Sequence, residues 1–261
     1  MKRGLWAVFL GCALFVPVSW AGQACTETAL EPETARKAFT LALKAREALD
    51  ASGAEVALIA RVGQDLSKYG LRYSHFGIVW RDHPQGRWLV IHELNQCGTA
   101  NSDLFNEGLA NFYLDDLFAW DSMIVIPSEP LQKKIANSLR GQHFVQLHEP
   151  KYNMLAFPFS TRYQNSNQWA LEALADAIMG PVVGRKEAQE WLKANGYVPS
   201  TLEISAGTRL GARMFRANVA FDDHPFDRRM AGQIDTVTVE SVYKFLAATD
   251  PSSRRLLVRL P

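Results

Sequence analysis

Hydrophobic and polar positions alternate in short, well-punctuated segments along the chain. EPETARKAFTLALKAREALDASG (31–53) places Ala35, Phe39, Leu43, Ala48 and Leu49 near helical spacing and stops at Gly53, which predicts an amphipathic helix. The apolar run EVALIARVG (55–63) predicts a buried strand. LRYSHFGIVW (71–80) and RWLVIHELN (87–95), joined by DHPQGR, predict a β-hairpin whose loop is wider than the two-residue minimum. SDLFNEGLANFYLDDLF (102–118) is mixed and partly helical, DSMIVIPS (121–128) reads as a core strand, and EPLQKKIANSLR (129–140) as a helix with Pro130 near its start.

An irregular stretch, YNMLAFPFSTRYQ, leads into NSNQWALEALADAIMG (165–180), a helix that stops at Gly180-Pro181. GRKEAQEWLKANG predicts an exposed helix ending at Gly196. RLGARMFRANVAF, the polar turn DDHPFDRRMAGQID, the helix TVESVYKFLAA and the strand-like RRLLVRL complete the chain. No Pro/Gly/Ser linker interrupts residues 22–261. The expected organisation is a single α+β domain, with a core at about 55–180 and a C-terminal extension at 181–261.

The first residues do not fit that pattern. MKRGLWAVFLGCALFVPVSWAGQA has Lys2 and Arg3, an apolar run from Leu5 to Val16, then small residues at Ser19 and Ala21, the order of a secretory signal peptide spanning residues 1–21. A periplasmic or secreted chain is expected, with no stable membrane span after cleavage, because the apolar run falls short of about 20 residues. Cleavage removes Cys12 and leaves Cys25 and Cys97, a pair expected to form a disulfide in an oxidising compartment. Closing that loop of about seventy residues would stabilise by about 4 kcal/mol if unstrained. The formal charge of +1 offers no electrostatic case for nucleic acid.

Chemistry concentrates in three stretches. His75 in YSHFGIV lies on a strand with Gly77 on its face, where a missing side chain leaves room beside the imidazole. On the returning strand either His92 or Glu93 comes opposite His75, with His92 preferred as the group that orients it. Asn165 followed by Gln168 fits a helix cap, which leaves Ser166 at the first helical position among free backbone N–H groups. Those donors and the helix dipole suit a nucleophile and an oxyanion. Tyr163, Gln164, Asn165 and Asn167 flank it as candidate pocket or oxyanion residues. His143 and His148 lack metal-ligand spacing, and Asp222, Asp223 and His224 read as a solvated turn. Neither a metal nor a cofactor is expected.

A strand with H-x-G-I, followed much later by N-[nucleophile]-x-x-[aromatic] at the start of a helix, resembles the circularly permuted papain-like superfamily of NlpC-type amidases and lecithin:retinol acyltransferase-like proteins. As a whole, the chain also looks like an uncharacterised bacterial family of exported proteins. The resemblance implies an antiparallel sheet packed against a helix that carries the nucleophile at its N-terminus. By that resemblance His75 is the base, His92 or Glu93 its orienting partner, and Ser166 stands where relatives have cysteine. It implies hydrolysis or acyl transfer on an amide or ester, of cell-wall peptide or lipid, with an unidentified cell-envelope substrate or partner. Since a hydroxyl is far less acidic than a thiol, the alternative is a catalytically inactive binding module of the same fold.

Overall fold

Every residue of the strand Val56–Val62 is buried, because it lies inside a sheet that helices cover on both faces. A computed structural model describes residues 29–115 and 117–260; the expected signal peptide and Cys25 lie outside them. The elements run α1 (Pro32–Ser52), β1 (Val56–Val62), β2 (His75–His83), β3 (Gly86–Asn95), β4 (Ser102–Gly108), α2 (Leu109–Leu114), β5 (Ala119–Ile126) and α3 (Glu129–Arg140). They continue with α4 (Ser166–Met179), α5 (Arg185–Ala194), β6 (Ser200–Glu203), α6 (Ala206–Phe215), α7 (Phe226–Met230), β7 (Gln233–Thr236), α8 (Val239–Thr249) and β8 (Arg254–Arg259).

Six strands form one antiparallel sheet in the order β4-β3-β2-β1-β5-β8. Alternation sorts their side chains onto two faces. Leu58, Ala60, Phe76, Ile78, Ile91, Met123 and Val125 pack with α3, α4 and α8. Ala57, Ile59, Val79, Val90, Ile124 and Val258 pack with α1 and α2 around Leu41, Leu49 and Phe112. The mixed α+β class with an antiparallel sheet is therefore observed.

Two departures from the pattern-based expectation concern boundaries. In the β2–β3 hairpin His83 pairs with Gly86, so only Pro84 and Gln85 connect the strands, a tighter turn than DHPQGR suggested. Charged residues continue this ladder, Asp82 opposite Arg87, because its tip extends into solvent where polarity is no barrier to pairing. Residues beyond 180 are also built into the main fold: β8 is an edge strand of the sheet, and Val242 and Leu246 of α8 enter the core under α4. A two-stranded ladder of β6 and β7 holds a smaller apolar cluster of Leu202, Ile204, Val219, Phe221 and Ile234.

Candidate functional site

The hairpin register places Ile78 opposite Ile91 and Val79 opposite Val90. Continued toward the start of β2, it sets Gly77, not His75, across from His92. A Cβ at Gly77 would stand 2.6 Å from Val90 Cγ1 and 3.2 Å from His92 Cβ, so no side chain fits there without displacement. His75 therefore sits diagonally from His92 on one face. The two rings lie 5.1 Å apart, and His75 Nε2 is 2.8 Å from His92 Nδ1. Gly77→Ala is expected to push the strands apart and cost about 1–3 kcal/mol. Chemical unfolding would measure the cost, and imidazole NMR shifts would show loss of the His75–His92 contact.

His92 Nε2 continues the chain to Glu107 Oε2 on β4 at 3.2 Å. Proton positions follow from this connectivity. A carboxylate only accepts, so His92 carries its proton on Nε2 and presents Nδ1 as an acceptor. His75 must then donate from Nε2, which leaves the lone pair of its own Nδ1 as the basic end of the chain. His92 is fully buried, while His75 is partly exposed. Burial first, then the positive charge of Arg61 and the neighbouring His92, holds His75 well below the usual histidine range. Burial likewise lowers His92, opposed by its hydrogen bond to Glu107. That same bond lowers the Glu107 carboxyl.

Helix α2 forms the lid of this chain. Phe112 lies against both imidazoles, at 5.9 and 5.4 Å between ring centres. The buried Arg61 guanidinium stands 4.8 Å over the same ring and is tied to Phe112 O and Asp115. Tyr113 and Ser122 share a 2.6 Å hydrogen bond beside it. Glu107 and Arg61 escaped the sequence reading. Charged residues of SDLFNEG mask strand alternation at the sheet edge, and Arg61 sits inside an apolar strand whose pattern gives no sign of a site.

Ser166 is placed elsewhere. It opens α4 as expected, with Asn165 Oδ1 accepting from Gln168 N at 2.8 Å. Through Trp169, Ala170 and Ala173, however, α4 packs on the face that carries Phe76 and Ile91, whereas His75 and His92 point to the α2 face. The expected Ser166–His75–His92 constellation is thus not gathered on one face. The physical reason is strand parity: a helix over Phe76 lies over the reverse side of His75. Asn167 Nδ2 does reach Ser74 O at 3.3 Å, so the first turn of α4 abuts the start of β2. The Ser166 hydroxyl meets Tyr152 Oη at 3.5 Å.

Glu93 shares that second face and is fully buried, with Ser102 as the hydroxyl beside its carboxyl. Burial pushes its carboxyl up to about 8, against the lowering pull of Ser102 and Arg185, with nearby Glu172 and Glu149 adding to the rise. Burial likewise pushes the Tyr152 phenol up to about 12.

The remaining candidates are held by hydrogen bonds within the fold. Gln164 bridges Leu147 O and Glu172, and accepts from Glu149 N. Asn165 Nδ2 donates to Thr236 Oγ1 at 3.0 Å, and Tyr163 Oη to Asp222 Oδ1 at 3.2 Å. Asp223 and His224 pair at 3.0 Å, and Asp223 also accepts from Phe157 N. His148 bonds Ser102 Oγ at 3.1 Å. Among the described residues no group of three His, Cys, Asp or Glu side chains could hold a metal ion. Cys97 lies in the turn after β3, and its expected partner Cys25 falls outside the described residues.

No curated protein and no solved structure matches the chain. A bacterial family does: its profile, described as an uncharacterized protein conserved in bacteria (DUF2145), covers residues 48–246, and the chain belongs to that family.

Proposed function

We propose that this chain is an exported hydrolase of amide or ester bonds in which His75 is the general base. The carrying observation is the Glu107–His92–His75 chain, with contacts of 3.2 and 2.8 Å. Glu107 holds His92 in one tautomer, and His92 in turn fixes the plane and tautomer of His75, as the third member of a triad does. His75 Nδ1 takes a proton from an attacking water as the water oxygen bonds to the carbonyl carbon. The imidazolium so formed donates to His92, and the Glu107 carboxylate offsets its charge. His75 then returns the proton to the leaving group as the carbonyl re-forms. The Arg61 cation, which adds to burial in holding both histidines neutral, also favours the transient oxyanion.

Water is the nucleophile in this reading, because the hydroxyls on this face are already engaged. Ser122 Oγ donates to Ala60 O at 2.9 Å and shares a 2.6 Å hydrogen bond with Tyr113 Oη. The cell envelope, its peptides or lipid esters, supplies the substrate class, and a Cys25–Cys97 bridge would suit that compartment. A second reading, a papain-like binding module without catalysis, draws support from the separation of Ser166 and His75 onto opposite faces.

Hydrolysis of acyl-nitrophenyl esters and cell-wall peptide amides tests both. His75→Ala is expected to lose at least about a hundredfold in kcat/KM, and Ser166→Ala to stay within about threefold. Activity should persist to well below pH 6.5, since His75 is neutral there. Loss of activity in Ser166→Ala, with Ser166 labelled by a phosphonylating probe, would replace water by the serine. No turnover of any such substrate would leave the binding module.

A further inference from the structure

Far from the histidines, α6 and α7 turn apolar side chains to solvent. Leu210, Met214 and Phe215 are 64%, 67% and 74% exposed, and Phe226 and Met230 of α7 are 69% and 62% exposed. The two helices adjoin: Ile204 N, just before α6, donates to Gly232 O just after α7, and Arg209 reaches within 3.6 Å of a Cβ position at Gly232. On α6, Leu210 and Met214 stand one turn apart with Phe215 beside them. Ala212, on the other side, packs onto the β6–β7 cluster. The helix is therefore anchored by one side only.

Charge decides what could cover the other side. Arg209, Arg213 and Arg216 flank the apolar residues, and no acidic residue occurs from 204 to 221. Arg229 adds a fourth guanidinium, 5.7 Å from the centre of the Phe226 ring. Asp227 is the acidic residue of α7, and Arg228 is neutralised by Asp235. A second copy of this surface would bring like charges together. A bilayer carrying anionic headgroups offers both partners at once, hydrocarbon for the Leu, Met and Phe side chains and phosphate for the arginines.

We propose that α6 and α7 form a docking surface for an anionic lipid bilayer. No described helix is long and apolar enough to cross a membrane, so the contact lies in the plane of the interface. It does not depend on His75 or on turnover.

Vesicle co-sedimentation tests it with protein lacking residues 1–21, which leaves every described element intact. Binding to phosphatidylglycerol vesicles is expected, with little binding to phosphatidylcholine, and it should weaken as salt is raised. Arg213→Glu is expected to weaken binding about fivefold or more. The triple variant Leu210→Ser, Met214→Ser, Phe215→Ser is expected to weaken it at least about tenfold, with thermal unfolding kept near wild type to show that the fold survives. Equal binding to both lipids, or full binding by both variants, would overturn the proposal. So would a wild-type dimer that the triple variant dissolves, which would assign the surface to a second copy.

Discussion

Arg185→Met is expected to destabilise the protein by about 3–5 kcal/mol. Arg185 meets Glu172 through Nε at 2.8 Å and Nη2 at 3.2 Å, and its remaining donors reach Thr161 O and Tyr163 O. Glu172 is fully buried in the middle of α4, where Gln164 and Gln189 also donate to it at 2.7 Å. Burial pushes the Glu172 carboxyl up, against the pull of Arg185. Without the guanidinium the helix would carry a buried carboxylate with two neutral donors, and two carbonyls of the approach loop would lose theirs. For a chain of this size the cost corresponds to a fall in Tm of about 6–20 °C. Urea unfolding measures it directly, and a loss below about 1 kcal/mol would show that the pair is not a fixed part of the core. Glu172→Leu added to Arg185→Met should recover part of the loss, because the orphaned charge is removed.

Glu93→Gln is expected to act in the opposite direction. The Glu93 carboxyl is raised to about 8 in the folded chain against an ordinary 4.5. Between those values the folded state keeps a proton that the unfolded state releases, so stability falls as pH rises through this window. The penalty grows by about 1.4 kcal/mol per pH unit and reaches about 3 kcal/mol near pH 7. Glutamine has the same shape and no such linkage. The difference in unfolding free energy between variant and wild type should therefore rise steadily from pH 4.5 to 8. His75, His92 and Glu107 have lowered values and pull the other way: each removes stability as pH falls. That background is common to both proteins and cancels in the difference. Parallel stability curves for the two proteins would show that Glu93 is ionised as usual.

How much of this was legible beforehand depends on the kind of information involved. Periodicity outlined the helices well: EPLQKKIANSLR is α3, and the helix read at 165–180 is α4 with Asn165 as its cap. Local rules govern such segments, namely apolar spacing, capping side chains, and the Gly or Pro that ends them. The short strands β4 and β6 were missed because polar residues at an edge or in a small ladder do not alternate clearly. The candidate site was half legible. His75 and His92 were singled out, and the hairpin brings them together. Glu107, which completes the chain, comes from β4, a strand the pattern did not reveal.

By itself, the sequence determined that His75, Gly77 and His92 occupy one hairpin, that Glu93 must face away from His92, and that Ser166 begins a helix. Each of these follows from a period of 2.0 or 3.6 residues along a continuous segment. Which face of the sheet receives α4, and which receives α2, was decided only by the tertiary structure. Periodicity fixes which residues share a face but carries no sign for the layer that covers it. That sign is set by long-range packing, Phe112 over the two histidines and Trp169 on the far side. It puts the candidate base and the candidate nucleophile on opposite sides of one sheet.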